Sequence, residues 1–268
     1  GRIEGWPERV REPKLACQPD SLLPGAVRFA RRDGVSAFPR HLARGLDVRL
    51  ERRVTALAGD GPRLRLEVAG ADPLAADVVV VAGAVTESLA LVEPLVAGWP
   101  GAAARLERIR AVPFVTTLAV LAGYGDAPPP DFDAWFPLEA TMLHAIGNDS
   151  SKRAPGAELV LVLQARPRFS LEQLDAPPAE WTRELVWEAA ELLGPWAGAP
   201  RWTQSHAWHT ARVLPRDVLG EPYLFEREPG RPGPRVVVAG DAFAPAAGVE
   251  AAYLSGVEAA ERIAGPTG

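Results

Sequence analysis

Cysteine is almost absent from this sequence: Cys17 is the only one among 268 residues. A single thiol excludes an intrachain disulfide and a thiolate metal cluster. A chain that does without disulfides agrees with the reducing cytoplasm, which is the location we expect.

Long apolar runs and an excess of basic charge are missing as well. No apolar stretch reaches the ~18 residues that a membrane span requires, and no signal peptide is visible. Lys and Arg total 29 against 34 Asp and Glu, so the net charge is -5 and nothing indicates nucleic acid as a partner. With 47% hydrophobic residues, the composition is typical of a soluble globular protein with room for two intertwined domains.

Metal-ligand clusters and nucleophile motifs are also scarce. His206 and His209 are three residues apart on a predicted strand, which places them on opposite faces, and no nearby carboxylate or thiolate completes a metal site. The segment Gly34-Val-Ser36-Ala-Phe38 lacks the second glycine and the preceding buried strand of a nucleophile elbow. We therefore expect no metal and no nucleophilic serine.

The most informative segment lies near the C-terminal end. Residues 236–239 form a short apolar run that predicts a strand covered on both faces. Gly240 lets backbone approach a ligand closely, and Asp241 places a carboxylate at the carboxyl edge of the strand, where ligands bind in open α/β sheets. A helix at 249–264 follows, and its first amides would point at that ligand. The alternative is an ordinary strand, turn and helix that closes an α/β domain.

Apolar spacing predicts the remaining elements. Strands are predicted at 47–54, 63–68, 74–82, 114–122, 141–146, 158–165 and 202–209. Helices are predicted at 34–44, with Ser36 as N-cap, and at 86–92, 102–109 and 178–193. The expected buried stripes are Trp181, Leu185, Ala189 and Leu192 in the helix at 178–193, and Val249, Ala252, Tyr253, Gly256, Val257, Ala260 and Ile263 in the last helix. For residues 1–25 the sequence predicts a loop.

Six segments follow one another in the order seen in a known family. They are Arg28-Phe-Ala-Arg-Arg-Asp-Gly34-Val-Ser-Ala-Phe-Pro, Arg53-Val54, Asp77-Val-Val-Val-Val-Ala82, Gly147-Asn-Asp-Ser-Ser-Lys-Arg153, Trp208-His-Thr-Ala-Arg-Val213 and Ala239-Gly-Asp-Ala-Phe243. Over nearly its whole length the chain resembles renalase-like members of the flavin amine oxidase superfamily. The segments at 239–243 and 53–54 are shared across that superfamily, whereas the segments at 147–153 and 208–213 narrow the resemblance to renalase.

The resemblance implies FAD as the cofactor, in a Rossmann-like α/β domain interleaved with a substrate domain on a mixed sheet. Asp241, beside Gly240, would hydrogen-bond the ribityl or pyrophosphate portion of FAD. The amides near Val249 and Glu250, which follow Gly248, would face the pyrimidine edge of the flavin.

Two further cofactor contacts follow from the same resemblance. Val54, after Arg53, would offer backbone contacts to the adenine. Gly83, just after a buried strand, would let its loop pass near the dinucleotide.

The resemblance also implies a reaction. Hydride would pass to flavin N5 from a reduced, isomeric nicotinamide dinucleotide, and oxygen would reoxidise the flavin with release of hydrogen peroxide. Trp208 and His209 would lie by the substrate cavity, and Gln164 occupies the position where renalases tend to place a histidine. Since a dihydropyridine releases no proton that must be collected at that step, no catalytic acid or base is implied.

Alternatives to this reaction stay open. An amine oxidase or a desaturase of the same superfamily would act on another small molecule, and a noncatalytic truncated flavoprotein remnant would serve as a binding module. The pair Lys152-Arg153 is either solvated or meets the phosphates of a nicotinamide dinucleotide.

One feature of the family is missing from the sequence. Its members begin with a strand, a Gly-x-Gly-x-x-Gly turn and a helix whose N-terminus holds the pyrophosphate. The nearest glycine pair here, Gly123-Tyr-Gly125, runs into Asp-Ala-Pro-Pro-Pro and predicts a turn. We therefore expect that the chain lacks this first segment, with 26–86 and 212–268 forming an incomplete FAD-binding domain and 87–211 forming the substrate domain.

Overall fold

The computed structural model describes residues 2–11, 28–246 and 248–265. The chain divides into two compact units, of which unit 1 comprises residues 1–48 and 116–209, and unit 2 comprises residues 49–115 and 210–268. Helices alternate with strands that form both parallel and antiparallel pairs, so the predicted α/β class is confirmed.

The elements of the described residues are as follows. The strands are β1 (Arg2–Glu4), β2 (Val10–Arg11), β3 (Phe29–Arg31), β4 (Val54–Asp60), β5 (Arg63–Val68), β6 (Leu74–Ala76), β7 (Val78–Val81), β8 (Phe114–Gly123), β9 (Ala134–Trp135), β10 (Leu143–Asn148), β11 (Val160–Ala165), β12 (Trp202–Val213), β13 (Tyr223–Glu226) and β14 (Arg235–Val238). The helices are α1 (Ala37–Leu42), α2 (Val85–Val96), α3 (Ala102–Arg110), α4 (Pro167–Glu172), α5 (Pro178–Leu193) and α6 (Gly248–Ala264).

Unit 1 is built on a six-stranded sheet in the order β12-β8-β11-β10-β9-β2. Residues 114–115 of β8 and residues 210–213 of β12 are assigned to unit 2. One face of this sheet packs against α5, because apolar side chains alternate along β8 and β11 and recur every three or four residues along the helix. The buried members of this core include Leu118, Val120, Leu161, Leu163, Trp181, Leu185 and Ala189. The predicted stripe of α5 is thus confirmed, with Leu192 partly buried at its end.

A buried carboxylate holds the first described segment to unit 1. Asp133 accepts hydrogen bonds from the backbone amides of Glu8 and Arg9, at 3.1 and 3.0 Å, and from the Arg9 guanidinium at 2.7 Å. Burial opposes ionisation of Asp133, but the hydrogen bonds from Arg9 and from the Glu8 amide outweigh it, so the pKa of Asp133 lies below its ordinary value of 3.8.

We expect Asp133→Asn to lower the free energy of unfolding by about 2 kcal/mol at pH 6, since hydrogen bonds to a charged group are lost. A lowered folded-state pKa contributes stability above the unfolded-state pKa and loses it as the pH falls through the folded-state pKa. The difference between wild type and variant should therefore shrink on acidification from pH 5 to pH 2. Urea unfolding across this range measures it. Asp131→Asn, which removes an exposed carboxylate paired with Arg11, is the control and should stay within about 0.5 kcal/mol of wild type.

Unit 2 has three layers, with a small sheet in the middle and helices on both of its faces. The sheet has the order β13-β14-β7, with β14 parallel to β7 and antiparallel to β13. Apolar residues of α2 and α3 cover one face, and α6 covers the other. On the first face, side chains of the sheet pack with side chains of α2 and α3; this core contains Val79, Val81, Val236, Val238, Val92, Val96, Leu106 and Ile109. On the second face, Val237 and Ala239 of the sheet pack against Ala259 of α6. The antiparallel sheet β4-β5-β6 adds Leu57 and Leu64 to the larger cluster.

The predicted buried stripe of the last helix is wrong. In α6 the buried residues are Ala251, Ser255 and Ala259, whereas Val249, Tyr253 and Val257 are exposed. Small side chains four residues apart let the helix backbone approach the sheet, and this close approach selects the face that carries them. Of the predicted stripe, Ile263 packs against the core as a partly buried residue.

Three other predictions need correction. Residues 47–53 do not form a strand, because the chain turns at Leu50 and Glu51, where Glu51 adopts a φ of 56°. Within the predicted loop at 1–25, β1 and β2 are strands, while residues 12–25, with Cys17, lie outside the described residues. Ser36 stands at the N-cap of α1 without a side-chain capping bond, and its hydroxyl instead accepts a hydrogen bond from Arg40.

The two units and the predicted domains differ in three stretches. Residues 28–48 belong to unit 1, whereas residues 87–115 and 210–211 belong to unit 2. Residues 87–115 belong there because α2 and α3 pack into its core. The cofactor and substrate roles of the two parts stay a prediction. Within the described ranges, no helix has the length and apolar content that a membrane span requires.

Candidate cofactor site

Two parallel strands of unit 2 end side by side in glycine. Val81 of β7 is the register partner of Val238 of β14, and the Ala239 amide donates to the Val81 carbonyl at 3.0 Å. Gly240 has a φ of 139°, which favours glycine, and a Cβ placed on it would lie 3.5 Å from the carbonyl oxygen of Gly83. The predicted residues Gly83 and Gly240 are therefore neighbours at the carboxyl edge of the sheet, where open α/β sheets bind ligands.

The helix after Gly83 begins almost at once. α2 starts at Val85, and Ala84 at its N-cap supplies no side-chain bond to the first amides. A Cβ placed on Gly83 would lie 3.6 Å from Ser88 Oγ and 3.8 Å from Glu87 Oε2, so both side chains reach the space above this glycine. The Ser88 hydroxyl is buried and has no hydrogen-bond partner among the described residues. Sequence reasoning missed both residues, since a polar pair in the first turn of a helix is commonplace.

The segment after Gly240 is fixed by a serine that the sequence did not single out. The Gly240 amide donates to Ser255 Oγ at 3.0 Å, which ties the glycine to the buried face of α6. Asp241 is half-buried and opens a short 3-10 turn, and α6 follows from Gly248. Val249 and Glu250 are exposed in its first turn.

The predicted adenine contacts lie in another sheet of unit 2. Arg53 directly precedes β4 and is exposed, and Val54, the first residue of β4, packs partly buried against the core. The Arg53 carbonyl accepts a hydrogen bond from the Ala69 amide at 2.9 Å. The structure thus places Arg53 and Val54 at the start of β4 in the β4-β5-β6 sheet, whereas Gly83 and Gly240 follow strands of the other sheet.

In unit 1, Gln164 stands on the sheet face opposite to α5. Its neighbours across the two adjacent strands are Ala119 on β8 and Ala145 on β10. Because residues directly opposite one another share a face, two methyl groups flank the exposed Gln164 side chain. Gln164, Ala119 and Ala145 thus form a shallow surface on this face of the sheet, called the floor below, with the Gln164 amide at its centre.

Trp208 and His209 cannot both face the same side of the sheet, contrary to their predicted place at one cavity. Successive residues of a strand point to opposite faces. Ala207 packs against the α5 core, so His209 shares its side and Trp208 lies on the side of Gln164. The Trp208 side chain is 52% exposed, and its ring lies 4.1 Å from that of His206.

The polar loop at 147–153 is held together by its own charges. Asp149 pairs with Lys152 and with Arg153, each at 2.6 Å, and Lys152 lies 4.5 Å from the ring of Trp6. Lys152 and Arg153 are thus both paired with a carboxylate of the protein.

Other parts of the described structure offer no competing site. The described residues contain no group of three His, Cys, Asp or Glu side chains that could hold a metal ion. A cavity of about 770 Å³ in unit 2 is lined by Arg105 and Arg262 among others. Arg105 donates to the Leu224 carbonyl and Arg262 pairs with Glu221 and Glu258, so both cations are already used by the protein.

The strand ends at Gly83 and Gly240 combine close backbone approach with the first turn of α2, which carries the unpartnered Ser88 hydroxyl and the Glu87 carboxylate, and Asp241 directly follows Gly240. These groups have the chemistry to hold and orient a ligand rich in hydroxyl groups, but they include no obvious nucleophile. The chemistry of such a site comes from the bound cofactor.

The chain is similar to a known family and to several solved structures. A family model for flavin containing amine oxidoreductase matches residues 14–264, whereas no curated protein sequence matches the chain. Similar solved structures include putrescine oxidase bound to putrescine, with a TM-score of 0.59 and 16% identity over 89% of this chain and 54% of that one. A proposed protoporphyrinogen oxidase from Exiguobacterium sp. 255-15 has a TM-score of 0.58 and 16% identity, over 89% and 54%. Cyclohexylamine oxidase from Brevibacterium oxydans IH-35A has 0.51 and 18%, over 78% and 46%.

The chain spans about half the length of these structures, and at such identities they share its fold. The family match covers most of the chain, and two parallel strands of unit 2 end side by side, at the kind of sheet edge where open α/β sheets bind ligands. FAD is the cofactor, and the chain belongs to the family of flavin-containing amine oxidoreductases.

Proposed function

We propose that the protein is an FAD-dependent oxidase of the renalase type, which oxidises reduced, isomeric nicotinamide dinucleotides in the cytoplasm. The observation that carries the proposal is the pairing of Gly83 with Gly240 at the carboxyl edge of two parallel strands. Bound FAD would supply the redox chemistry, which is hydride transfer from the substrate followed by reduction of oxygen to hydrogen peroxide.

The described residues of unit 2 fit one side of FAD. The two glycines leave room for the cofactor to approach the backbone, and Asp241 offers a carboxylate to hydroxyl groups of the ribityl chain. The first amides of α6, near Val249, would face the pyrimidine edge of the flavin, and the positive end of the helix dipole favours negative charge there. Arg53 and Val54 would contact the adenine through the backbone.

We also propose that a strand, a Gly-x-Gly-x-x-Gly turn and a helix complete this site at the open edge of β7. Among the described residues, β7 pairs only with β14. Its Val80 is 47% exposed on the sheet face that packs against α6, and the α6 residues Val249, Tyr253 and Val257 are exposed as well. A parallel sheet is normally covered on both faces, so an added strand and helix would bury this surface.

The substrate would lie on the floor around Gln164 in unit 1. Ala119 and Ala145 leave space for a flat ring, and the Gln164 amide can both donate to and accept from a carboxamide. The exposed Trp208 ring on the same face offers stacking. In this arrangement the side chains position the substrate and exclude water, and no proton has to be removed.

Oxidation of an amine is the second candidate. Two of the structurally similar proteins are named for oxidation of putrescine and of cyclohexylamine. An ammonium substrate needs a carboxylate or an aromatic cage, however, and Gln164 with its two alanine neighbours carries no charge. The floor therefore suits a neutral dihydronicotinamide better.

Anaerobic reduction of the flavin tests the proposal. The chain is purified with excess FAD, both alone and with a strand–turn–helix segment that contains Gly-x-Gly-x-x-Gly fused before Gly1. We expect the protein to be yellow, and we expect 2- and 6-dihydro isomers of NAD(P) to bleach it within the mixing time, whereas putrescine and cyclohexylamine leave it oxidised. Admission of oxygen should restore the colour and yield one hydrogen peroxide per flavin turnover.

Each of the other outcomes contradicts the proposal and indicates a different function. Bleaching by the amines alone identifies an amine oxidase. A yellow protein that no dihydronicotinamide reduces is not a renalase-type oxidase, and a protein that stays colourless in both forms is a noncatalytic binding module.

A further inference from the structure

Ser88 presents a hydroxyl group that the fold of unit 2 does not use. It is 1% exposed, and its Oγ has no hydrogen-bond partner in the described structure, although its backbone amide bonds to the Ala84 carbonyl at 2.8 Å. A buried polar group without a partner destabilises a fold by about 1–3 kcal/mol, so such groups call for an explanation. The hydroxyl lies 3.6 Å from the Cβ position of Gly83, just beyond the end of β7.

Glu87 restricts what can bind beside this hydroxyl. Its carboxylate reaches the same space, 3.8 Å from the Cβ position of Gly83, and Asp241 carries a second carboxylate after the neighbouring strand. A phosphate group would be repelled by two carboxylates, even at the N-terminus of α2. Hydroxyl groups of a sugar instead donate hydrogen bonds to carboxylates and accept one from a serine.

We propose that Glu87 and Ser88 form a sugar subsite of the cofactor site, which binds vicinal hydroxyl groups of FAD. Glu87 accepts hydrogen bonds from two adjacent hydroxyls, and Ser88 donates its free O–H to one of them. Gly83 is required between them because a side chain there would occupy the space that the sugar needs. The subsite rests on the proposed FAD site and specifies a binding role for the first turn of α2.

The test measures the Kd of FAD by quenching of flavin fluorescence, in the form of the protein that binds FAD. Glu87→Gln should raise the Kd by about tenfold or more, and Ser88→Ala by about threefold to tenfold, since bonds to a charged acceptor are the stronger ones. Glu180→Gln is the matched control, because Glu180 is the acidic residue in the first turn of α5. Its Kd should equal that of wild type.

Two pairs of probes distinguish the ribityl chain from the adenosine ribose. If the ribityl chain occupies the subsite, Glu87→Gln weakens riboflavin binding, while lumiflavin, which lacks the chain, and ADP are unaffected. If the ribose occupies it, the variant weakens ADP binding but leaves 2′,3′-dideoxy-ADP and riboflavin unchanged. Either result supports the subsite, and calorimetry measures all four ligands.

Thermal unfolding without ligand separates this role from a structural one. Ser88→Ala removes an unpaired buried hydroxyl and adds a better helix former, so its Tm should equal or exceed that of wild type. Ser255→Ala, which takes the acceptor from the Gly240 amide, should lower the Tm.

A lowered Tm for Ser88→Ala, or an unchanged Kd of FAD in both α2 variants, would overturn the subsite, and so would the absence of binding of all probes to wild type. Failure of the oxidase proposal looks different: FAD binds, Glu87→Gln weakens it, and dihydronicotinamides still fail to bleach the flavin.

Discussion

Gly83→Ala is expected to weaken FAD binding by about fivefold to a hundredfold, because a methyl group in a filled ligand site acts through overpacking that amounts to about 1–3 kcal/mol. The new Cβ would meet Ser88 Oγ at 3.6 Å and Glu87 Oε2 at 3.8 Å, which are ordinary contact distances. The protein without cofactor therefore accommodates the alanine. Replacing glycine where its φ suits alanine even favours the folded state by about 0.4–1 kcal/mol.

The expected signature of Gly83→Ala is thus a raised Kd of FAD together with an unchanged or raised Tm in the absence of FAD. Flavin fluorescence and thermal unfolding measure the two quantities. Gly98→Ala is the matched control in unit 2, since a Cβ on Gly98 meets nothing within 4 Å. A Kd for Gly83→Ala that equals the Kd of the control would place FAD away from this strand end.

Glu188→Ala is expected to lower the free energy of unfolding by about 3–5 kcal/mol, the range found when a buried charged network is broken. The Glu188 carboxylate is buried in the middle of α5. It accepts hydrogen bonds from the amides of Thr141, Met142 and Leu143 and from the Thr141 hydroxyl, at 2.6 to 3.1 Å. Removal of the side chain leaves these donors at the start of β10 without their acceptor.

Urea unfolding measures this loss, and two variants set its scale. Glu188→Gln keeps one oxygen acceptor and should lose less than the alanine variant. Glu191→Ala removes an exposed carboxylate from the same helix and should stay within about 0.5 kcal/mol of wild type. Equal stabilities of the Glu188 and Glu191 alanine variants would show that the buried carboxylate does not anchor β10.

Strong local patterns predicted most elements well. The helix at 178–193 agrees with α5 at both ends, since Pro178 opens it and Gly194 follows its last residue. The apolar run at 236–239 is β14, shifted by one residue, and the strand at 63–68 is β5. The alternation at 47–53 failed as a predictor because a polarity pattern does not supply a partner strand, and the chain turns at Glu51 instead.

The candidate site could be predicted only in part for a similar reason. Gly83, Gly240 and Asp241 follow apolar strands, which is a local signal. Ser88 and Ser255 carry no such signal, because their roles arise from contacts with glycines that are distant along the chain or across a turn. The opposite orientations of Trp208 and His209 follow from strand alternation and could have been predicted.

The sequence by itself determined the class of fold, the family resemblance and the strand ends that carry Gly83 and Gly240, since these depend on runs and spacings of neighbouring residues. Only the tertiary structure decided which face of α6 is buried, that Gly83 lies against Gly240, and that Glu188 and Ser88 are buried. Each of these depends on which element packs against which, and burial and partners are properties of the assembled layers.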